Sequence, residues 1–173
     1  MSTPTQKLAA ELDRESAATR RILERVPTDR LDWQPHPKSM TLGQLAIHIA
    51  SIPGNISRMA QVDTFDAATR DFSPPQPAST DEVLSRLDAS LTEARSFLGG
   101  LDEDFAAAPW RLTAGPREIF TVPRADMLRT MLLNHWYHHR GQLAVYLRLL
   151  DVPVPATYGR SADENPMAGA PAA

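Results

Sequence analysis

Cysteine is absent from this chain of 173 residues, and its absence excludes several classes of functional site. Without a thiol the protein has no disulfide framework, no cysteine nucleophile, no thiolate zinc site and no cysteine-held iron–sulfur cluster. Glycine is scarce, with eight residues, and the sequence contains neither a Gly-x-Ser-x-Gly nucleophile elbow nor a glycine-rich phosphate loop. The chemistry of any site must therefore come from other side chains.

The sequence also lacks an excess of charge of one sign and lacks long apolar runs. Its 18 Lys and Arg residues against 21 Asp and Glu residues give a formal net charge of −3. Binding to nucleic acid needs a basic surface, so this balance predicts no nucleic-acid partner. No window approaches the roughly 18 apolar residues of a membrane span, and residues 1–11 lack the apolar core of a signal peptide. We therefore expect a cytoplasmic protein with no membrane partner.

The composition is that of an ordinary globular domain, with 42% hydrophobic and 23% charged residues. The length fits one domain that can bury a sizeable core. We predict a single domain over residues 1–166. Small residues and a proline make up the end of the chain, which predicts a flexible C-terminal tail over residues 167–173.

Apolar residues recur at helical spacing in four segments, which cover residues 5–26, 41–60, 80–99 and 123–150. The connections between them are longer than those of a simple up-down bundle. This pattern predicts an all-α fold, a four-helix bundle with long crossover-type connections. Runs of strand-forming residues on both sides of Ala114-Gly115-Pro116 predict, in addition, a short hairpin near residues 110–122.

Pro53 lies inside the second helical segment. A proline within a helix has no N–H to donate, so it leaves the carbonyl group of Ile49 without its helical partner. We therefore expect a kink at this point.

Histidines are concentrated in the last helical segment, which contains His135, His138 and His139. Residues four apart differ by only about 40° around a helix axis, and His135 and His139 continue the apolar stripe that contains Leu132 and Leu143. Two inward imidazoles at this spacing can share one metal ion. The spacing thus indicates a candidate metal site on the core side of this helix.

A third ligand has to come from another helix, and His48 lies beside the apolar stripe of the second segment. Three histidines leave coordination positions open, as catalytic metal sites do. The alternative is a set of core histidines, which then need hydrogen-bond partners for their buried ring nitrogens. We expect His36, in a proline-flanked loop, to be exposed, while His138 is an alternative ligand, a group that orients a ligand, or a surface residue.

The residues around these histidines resemble a known family. Residues 135–150 read His-Trp-Tyr-His-His-Arg-Gly-Gln-Leu-Ala-Val-Tyr-Leu-Arg-Leu-Leu, and residues 158–164 read Tyr-Gly-Arg-Ser-Ala-Asp-Glu. Both stretches are similar to motifs of the DinB family, whose members are also described as DinB/YfiT-like metalloenzymes. A looser similarity covers Trp33 and the stretch Thr-Leu-Gly-Gln-Leu at 41–45, which leads to His48.

The resemblance implies a four-helix bundle with an unusual connection order that is often a homodimer. It implies a metal site of one histidine on the second helix and two on the fourth, which by position are His48, His135 and His139. One divalent ion per chain is then expected, and zinc, nickel, iron and manganese all accept imidazole ligands.

Some members of the family are thiol S-transferases that use a low-molecular-weight thiol. The resemblance therefore implies a metal-dependent enzyme that binds a small-molecule substrate and acts on small electrophiles, with no catalytic residue assigned beyond the metal ligands. A metal-dependent hydrolase is an alternative. Another is a non-enzymatic, stress-response helical-bundle dimer with a structural metal.

Several residues near the histidines are candidates for supporting roles. Arg140 would either anchor a substrate carboxylate or hold the C-terminal loop through Asp163 or Glu164. Gln142 would either orient a ligand histidine or cap a buried backbone group. Gly141 is expected to allow close helix packing. The residues expected to line the substrate pocket are Trp33, Met59, Trp136, Tyr137 and the loop 158–164.

Overall fold

The computed structural model describes residues 3–167, and most of them are helical. The helices are α1 (Pro4–Leu23), α2 (Leu42–Met59), α3 (Thr80–Gly99), the short α4 (Glu103–Ala107), α5 (Arg124–Met127) and α6 (His135–Leu149). A π-helical turn, Leu128–Asn134, joins α5 to α6, so these three form one continuous segment. The four predicted helical segments agree with these bounds to within one helical turn. Residues 168–173 of the predicted tail lie outside the described residues.

The start of α2 is set by a capping box. Thr41 Oγ1 accepts a hydrogen bond from the backbone N–H of Gln44 at 3.1 Å, and Gln44 Oε1 accepts one from the backbone N–H of Thr41 at 3.1 Å. These bonds satisfy backbone donors that the first turn of a helix leaves free. The cap therefore fixes where α2, the helix that carries His48, begins.

A three-stranded mixed sheet accompanies the helices. Its strands are β1 (Thr64–Asp66), β2 (Pro109–Ala114) and β3 (Arg117–Pro123), in the order β1-β2-β3. The antiparallel pair β2–β3 confirms the predicted hairpin, and its turn places Gly115 at a φ of +59°, which favours glycine. The prediction of an all-α chain was incomplete, because it omitted β1, which pairs in parallel with β2.

The long helices pack in an order that differs from their order in the chain. Helix α2 packs against α3 and α6, and α1 also packs against α3 and α6 rather than against α2, its neighbour in sequence. The connection from α1 to α2 therefore crosses the molecule, in line with the long connections seen in the sequence. No helix among residues 3–167 is long and apolar enough to cross a membrane.

A fully buried arginine joins the end of α2 to the sheet region. Arg124 Nε donates to the carbonyl oxygen of Ala60 at 2.8 Å, and its Nη1 donates to that of Phe105 at 2.6 Å. Its Nη2 contacts Asp63 Oδ1 at 2.5 Å, and the guanidinium carbon lies 3.7 Å from the centre of the Phe105 ring. One side chain thus binds the backbone after α2 and in α4, together with the carboxylate of Asp63, the residue before β1.

Candidate metal centre

The fold brings the three predicted histidines together between α2 and α6. His135 Nε2 lies 3.3 Å from His48 Nε2 and 2.8 Å from His139 Nε2. One ring nitrogen of each residue lies within 4.8 Å of the other two, and all three side chains are half-buried. The helical spacing of His135 and His139 and the packing of α2 against α6 therefore produce the convergence that the sequence predicted.

The partners of the other ring nitrogens determine which nitrogen carries the hydrogen. His139 Nδ1 lies 2.6 Å from Gln142 Oε1, and His135 Nδ1 lies 3.3 Å from the carbonyl oxygen of Met131. Because these oxygens only accept hydrogen bonds, each Nδ1 carries the hydrogen and each Nε2 presents a lone pair. Two lone pairs at 2.8 Å repel each other unless a cation lies between them.

The pKa values of the three histidines argue against a proton as the cation between these lone pairs. Burial, together with the smaller effect of the neighbouring His139 and His135, lowers the pKa of His48 to about 4. Burial is also the main cause that lowers the pKa values of His135 and His139. All three imidazoles are therefore neutral near pH 7, the form in which histidine binds a metal.

A metal ion fits this arrangement. Imidazole nitrogens bind zinc at about 2.0–2.1 Å, which places neighbouring ligand nitrogens roughly 3 Å apart. The Nε2 separations of 2.8 and 3.3 Å match that requirement. No other His, Asp or Glu among the described residues joins this group, so three neutral ligands would leave coordination positions open.

Trp136 fixes the spacing between the two helices that carry the ligands. As predicted, Pro53 leaves the carbonyl of Ile49 free, and α2 continues through the proline without interruption. The fully buried Trp136 donates from Nε1 to that carbonyl oxygen at 2.9 Å. Since Ile49 follows His48 and Trp136 follows His135, this bond fixes the position of α2 relative to α6 beside two of the ligands.

Gln142 provides a test of the orienting hydrogen bond. We expect Gln142→Leu to reduce metal affinity by about 10–100-fold, because the His139 ring loses the acceptor that fixes its orientation. Gln142→Glu keeps an acceptor and should retain tight binding. Competition against a chromophoric chelator measures both affinities. Gln142 is exposed, so circular dichroism should be unchanged, and equal affinities in the two variants would contradict the assigned role.

A half-open cavity of about 470 Å³ leads to the histidines. His48 and His135 form part of its lining. The remaining lining residues are Ile52, Asn55, Ile56, Arg58, Met59, Val62, Phe65, Arg70, Asp71, Phe72 and Met131. Of the expected pocket residues, Met59 alone is among these lining residues. The lining residues that follow α2 were not predicted, because no local pattern in the sequence relates them to the histidines.

The other expected pocket residues have structural contacts instead. Trp33 packs edge-on against Tyr146, with ring centres 5.7 Å apart, and Trp136 is buried against Ile49. The hydroxyl of Tyr137 donates to Glu11 Oε1 at 2.8 Å, and burial together with this hydrogen bond raises the tyrosine pKa. The prediction that these residues line the pocket was therefore wrong.

The loop 158–164 also has a structural role. Arg140 is buried, binds Glu15 Oε2 at 2.7 Å and hydrogen-bonds the hydroxyl of Tyr158, so it does hold the C-terminal loop. It does so through Tyr158 and not, as expected, through the two acidic residues of the loop. Asp163 and Glu164 instead form ion pairs with Arg148 and Arg21, respectively.

The remaining histidines and Gly141 are exposed. His138 lies outside the three-histidine cluster, although its ring centre is 4.9 Å from that of His139. His36 is exposed as predicted, and its Nδ1 accepts the backbone N–H of Lys38 at 3.1 Å. A Cβ added at Gly141 would meet nothing within 4 Å, so the prediction of close helix packing there was wrong.

Comparison with known proteins supports the family suggested by the sequence motifs. The uncharacterized protein YrdA of Bacillus subtilis (strain 168) is 27% identical over 153 residues, which cover 87% of this chain and 85% of that protein. The crystal structure of a DinB-like protein from Bacillus cereus ATCC 10987 matches with a TM-score of 0.67 at 22% identity, over 87% of this chain and 95% of the other. That of the DinB-like protein YjoA from Bacillus subtilis matches with a TM-score of 0.66 at 16% identity, over 88% and 96%. The sequence model of the DinB family matches residues 1–167, and the chain therefore belongs to the DinB family.

Proposed function

We propose that this protein is a metal-dependent enzyme that transfers a low-molecular-weight thiol to small electrophiles. A single divalent ion, of zinc, nickel, iron or manganese, is held by His48, His135 and His139. The observation that carries this proposal is the convergence of the Nε2 atoms of three neutral imidazoles beside a half-open cavity. A four-helix bundle of the DinB type, a homodimer and a cytoplasmic location remain predictions.

A bound divalent ion supplies a Lewis acid that lowers the pKa of a thiol and holds it as a thiolate. The protein keeps the ligand nitrogens unprotonated and fixes the rings of His135 and His139 through their Nδ1 contacts. Apolar side chains of the cavity, among them Ile52 and Met131, exclude water around the sulfur. In the transfer, a sulfur–carbon bond forms, the bond from that carbon to the leaving group breaks, and the thiol proton passes to solvent.

The cavity favours thiol transfer over hydrolysis. A bound metal ion can itself activate a water, but hydrolysis is usually assisted by an acid that protonates the leaving group. Asp71 is the single carboxylate among the described lining residues, and hydrogen bonds from Ser73 lower its pKa, which makes it a poor acid near pH 7. A purely structural metal is disfavoured for a different reason, because such sites are usually closed by four ligands and this one adjoins a cavity.

Elemental mass spectrometry on untagged protein tests the metal site. We expect about one metal ion per chain in the parent protein, and none in a variant with His48, His135 and His139 all changed to alanine. The metal-loaded parent should then conjugate small thiols to 1-chloro-2,4-dinitrobenzene, while the triple variant should not. Equal metal content in parent and variant would refute the proposed site, and a loaded parent inactive with every thiol would refute the transferase.

A further inference from the structure

One wall of the cavity is formed by the chain between α2 and α3. Strand β1 presents Phe65, and a 3-10 turn at 67–69 leads directly to Arg70 and Phe72. Asp66 Oδ1 fixes this turn, because it accepts the backbone N–H of Ala68 at 3.0 Å and that of Gly115 in the hairpin at 2.8 Å. The sheet therefore holds this wall in place opposite the histidines.

Arg70 is the cation of this wall that has no acidic partner. Its guanidinium carbon lies 5.6 Å from the centre of the Phe65 ring, and it forms no salt bridge with any described carboxylate. The second arginine of the cavity, Arg58, is held by Glu93 and by Asn55. Asp71 also lines the cavity, but its carboxylate accepts the backbone N–H of Ser73.

Large apolar side chains surround this free cation. Phe72 is 60% exposed and Val62 is 47% exposed, although both line the cavity. The rings of Phe65 and Phe72 have their centres 6.5 Å apart. Exposed aromatic side chains in a concave site are typical of surfaces that bind the apolar part of a ligand.

We propose that the thiol substrate of the metal centre is an amphipathic carboxylate. Its carboxylate pairs with Arg70, and its apolar part packs against Phe65 and Phe72. This inference rests on the proposed function, since it names the class of molecule that the metal-bearing cavity accepts. The planar guanidinium suits a carboxylate, which it can bind through two parallel hydrogen bonds. The neutral imidazole ligands add no negative charge to the site, so the carboxylate of Asp71 is the one group among the described lining residues that repels an entering anion.

Two thiols that differ only in the carboxylate test this inference. They are 2-benzyl-3-mercaptopropanoate and 3-phenylpropane-1-thiol, and both are titrated into cobalt-substituted protein while the thiolate-to-cobalt absorption in the near ultraviolet is recorded. We expect Arg70→Gln to weaken binding of the carboxylate thiol by about tenfold and to leave the neutral thiol unchanged. The decisive quantity is the ratio of the two affinities, because a carboxylate also changes the acidity of the thiol.

Arg86→Gln is the matched control. Arg86 is exposed on α3 and lies outside the lining of the cavity, so its replacement should leave the affinity ratio at the parent value. An unchanged ratio in Arg70→Gln would overturn the carboxylate site while the metal centre remains supported by the binding of both thiols. If neither thiol alters the cobalt spectrum, the proposed thiol chemistry fails, and the carboxylate inference fails with it.

Discussion

Replacing His135 by alanine is expected to reduce metal affinity by roughly a hundredfold to a thousandfold, the share of one ligand in a multi-ligand site. His135 is central to the cluster, because its Nε2 lies within 3.3 Å of the Nε2 atoms of both His48 and His139. Without it, the two remaining imidazoles come from different helices and hold the ion more weakly. Isothermal titration of metal-free protein, or competition with a chelator, gives the affinity.

His138→Ala is the control for this variant. The two substitutions remove the same chemical group three residues apart on one helix, but His138 is exposed and lies outside the cluster. We expect His138→Ala to bind metal as tightly as the parent protein. If both variants lost affinity equally, or if His135→Ala lost none, the assignment of the three ligands would be wrong.

Arg124→Met is expected to lower the free energy of unfolding by about 3–5 kcal/mol. The methionine fills most of the volume, but it leaves the carbonyl oxygens of Ala60 and Phe105 without donors. Buried polar groups without partners are costly, and here two of them are created at once. The packing of the guanidinium on the Phe105 ring is lost as well.

Urea denaturation measures this loss of stability. Arg124→Lys should recover little of it, because an ammonium group cannot reach three acceptors in a plane. Arg117→Met serves as a control on exposed strand β3, where we expect a change below about 0.5 kcal/mol. A stable Arg124→Met variant would show that the buried hydrogen bonds of Arg124 do not hold the region around β1.

Local patterns in the sequence were sufficient to predict the helices and the pair His135 and His139, and the family resemblance added His48. Periodic apolar residues defined four helical segments, whose bounds agree with the structure to within one helical turn. The same periodicity predicted that His135 and His139 lie on the core side of the last helix. Their meeting with His48 required only that α2 and α6 pack against each other, which the family resemblance implied.

The cavity could not be predicted in the same way. Strand β1 has only three residues, and it pairs with β2 more than 40 positions away, so no local periodicity indicates it. The side chains that follow β1 reach the histidines only because the sheet and Asp66 hold the turn in place. Interactions between segments distant in sequence, rather than local propensity, determine this part of the site.

The burial of Arg124 was also beyond prediction from the sequence. Arginine is almost never fully buried unless its charge is paired, and nothing in the sequence shows that three acceptors surround this one. The role of Trp136 was predicted only in part. Pro53 indicated that the carbonyl group of Ile49 would lack its helical partner, but the sequence did not show that Trp136 would donate to it.

The π-helical turn at Leu128–Asn134 is a place where the length of this chain can change in evolution without moving the metal centre. A π turn holds more residues than an α turn, and loss of one residue from the exposed pair Arg129 and Thr130 would let a regular α-helix form. Because the wider turn already absorbs the extra residue, that deletion would leave His135 and His139 facing His48. Loss of one residue from the regular helix between His135 and His139 would instead rotate one histidine by about 100° relative to the other, so selection on the metal centre preserves the length of α6 but not that of the π turn.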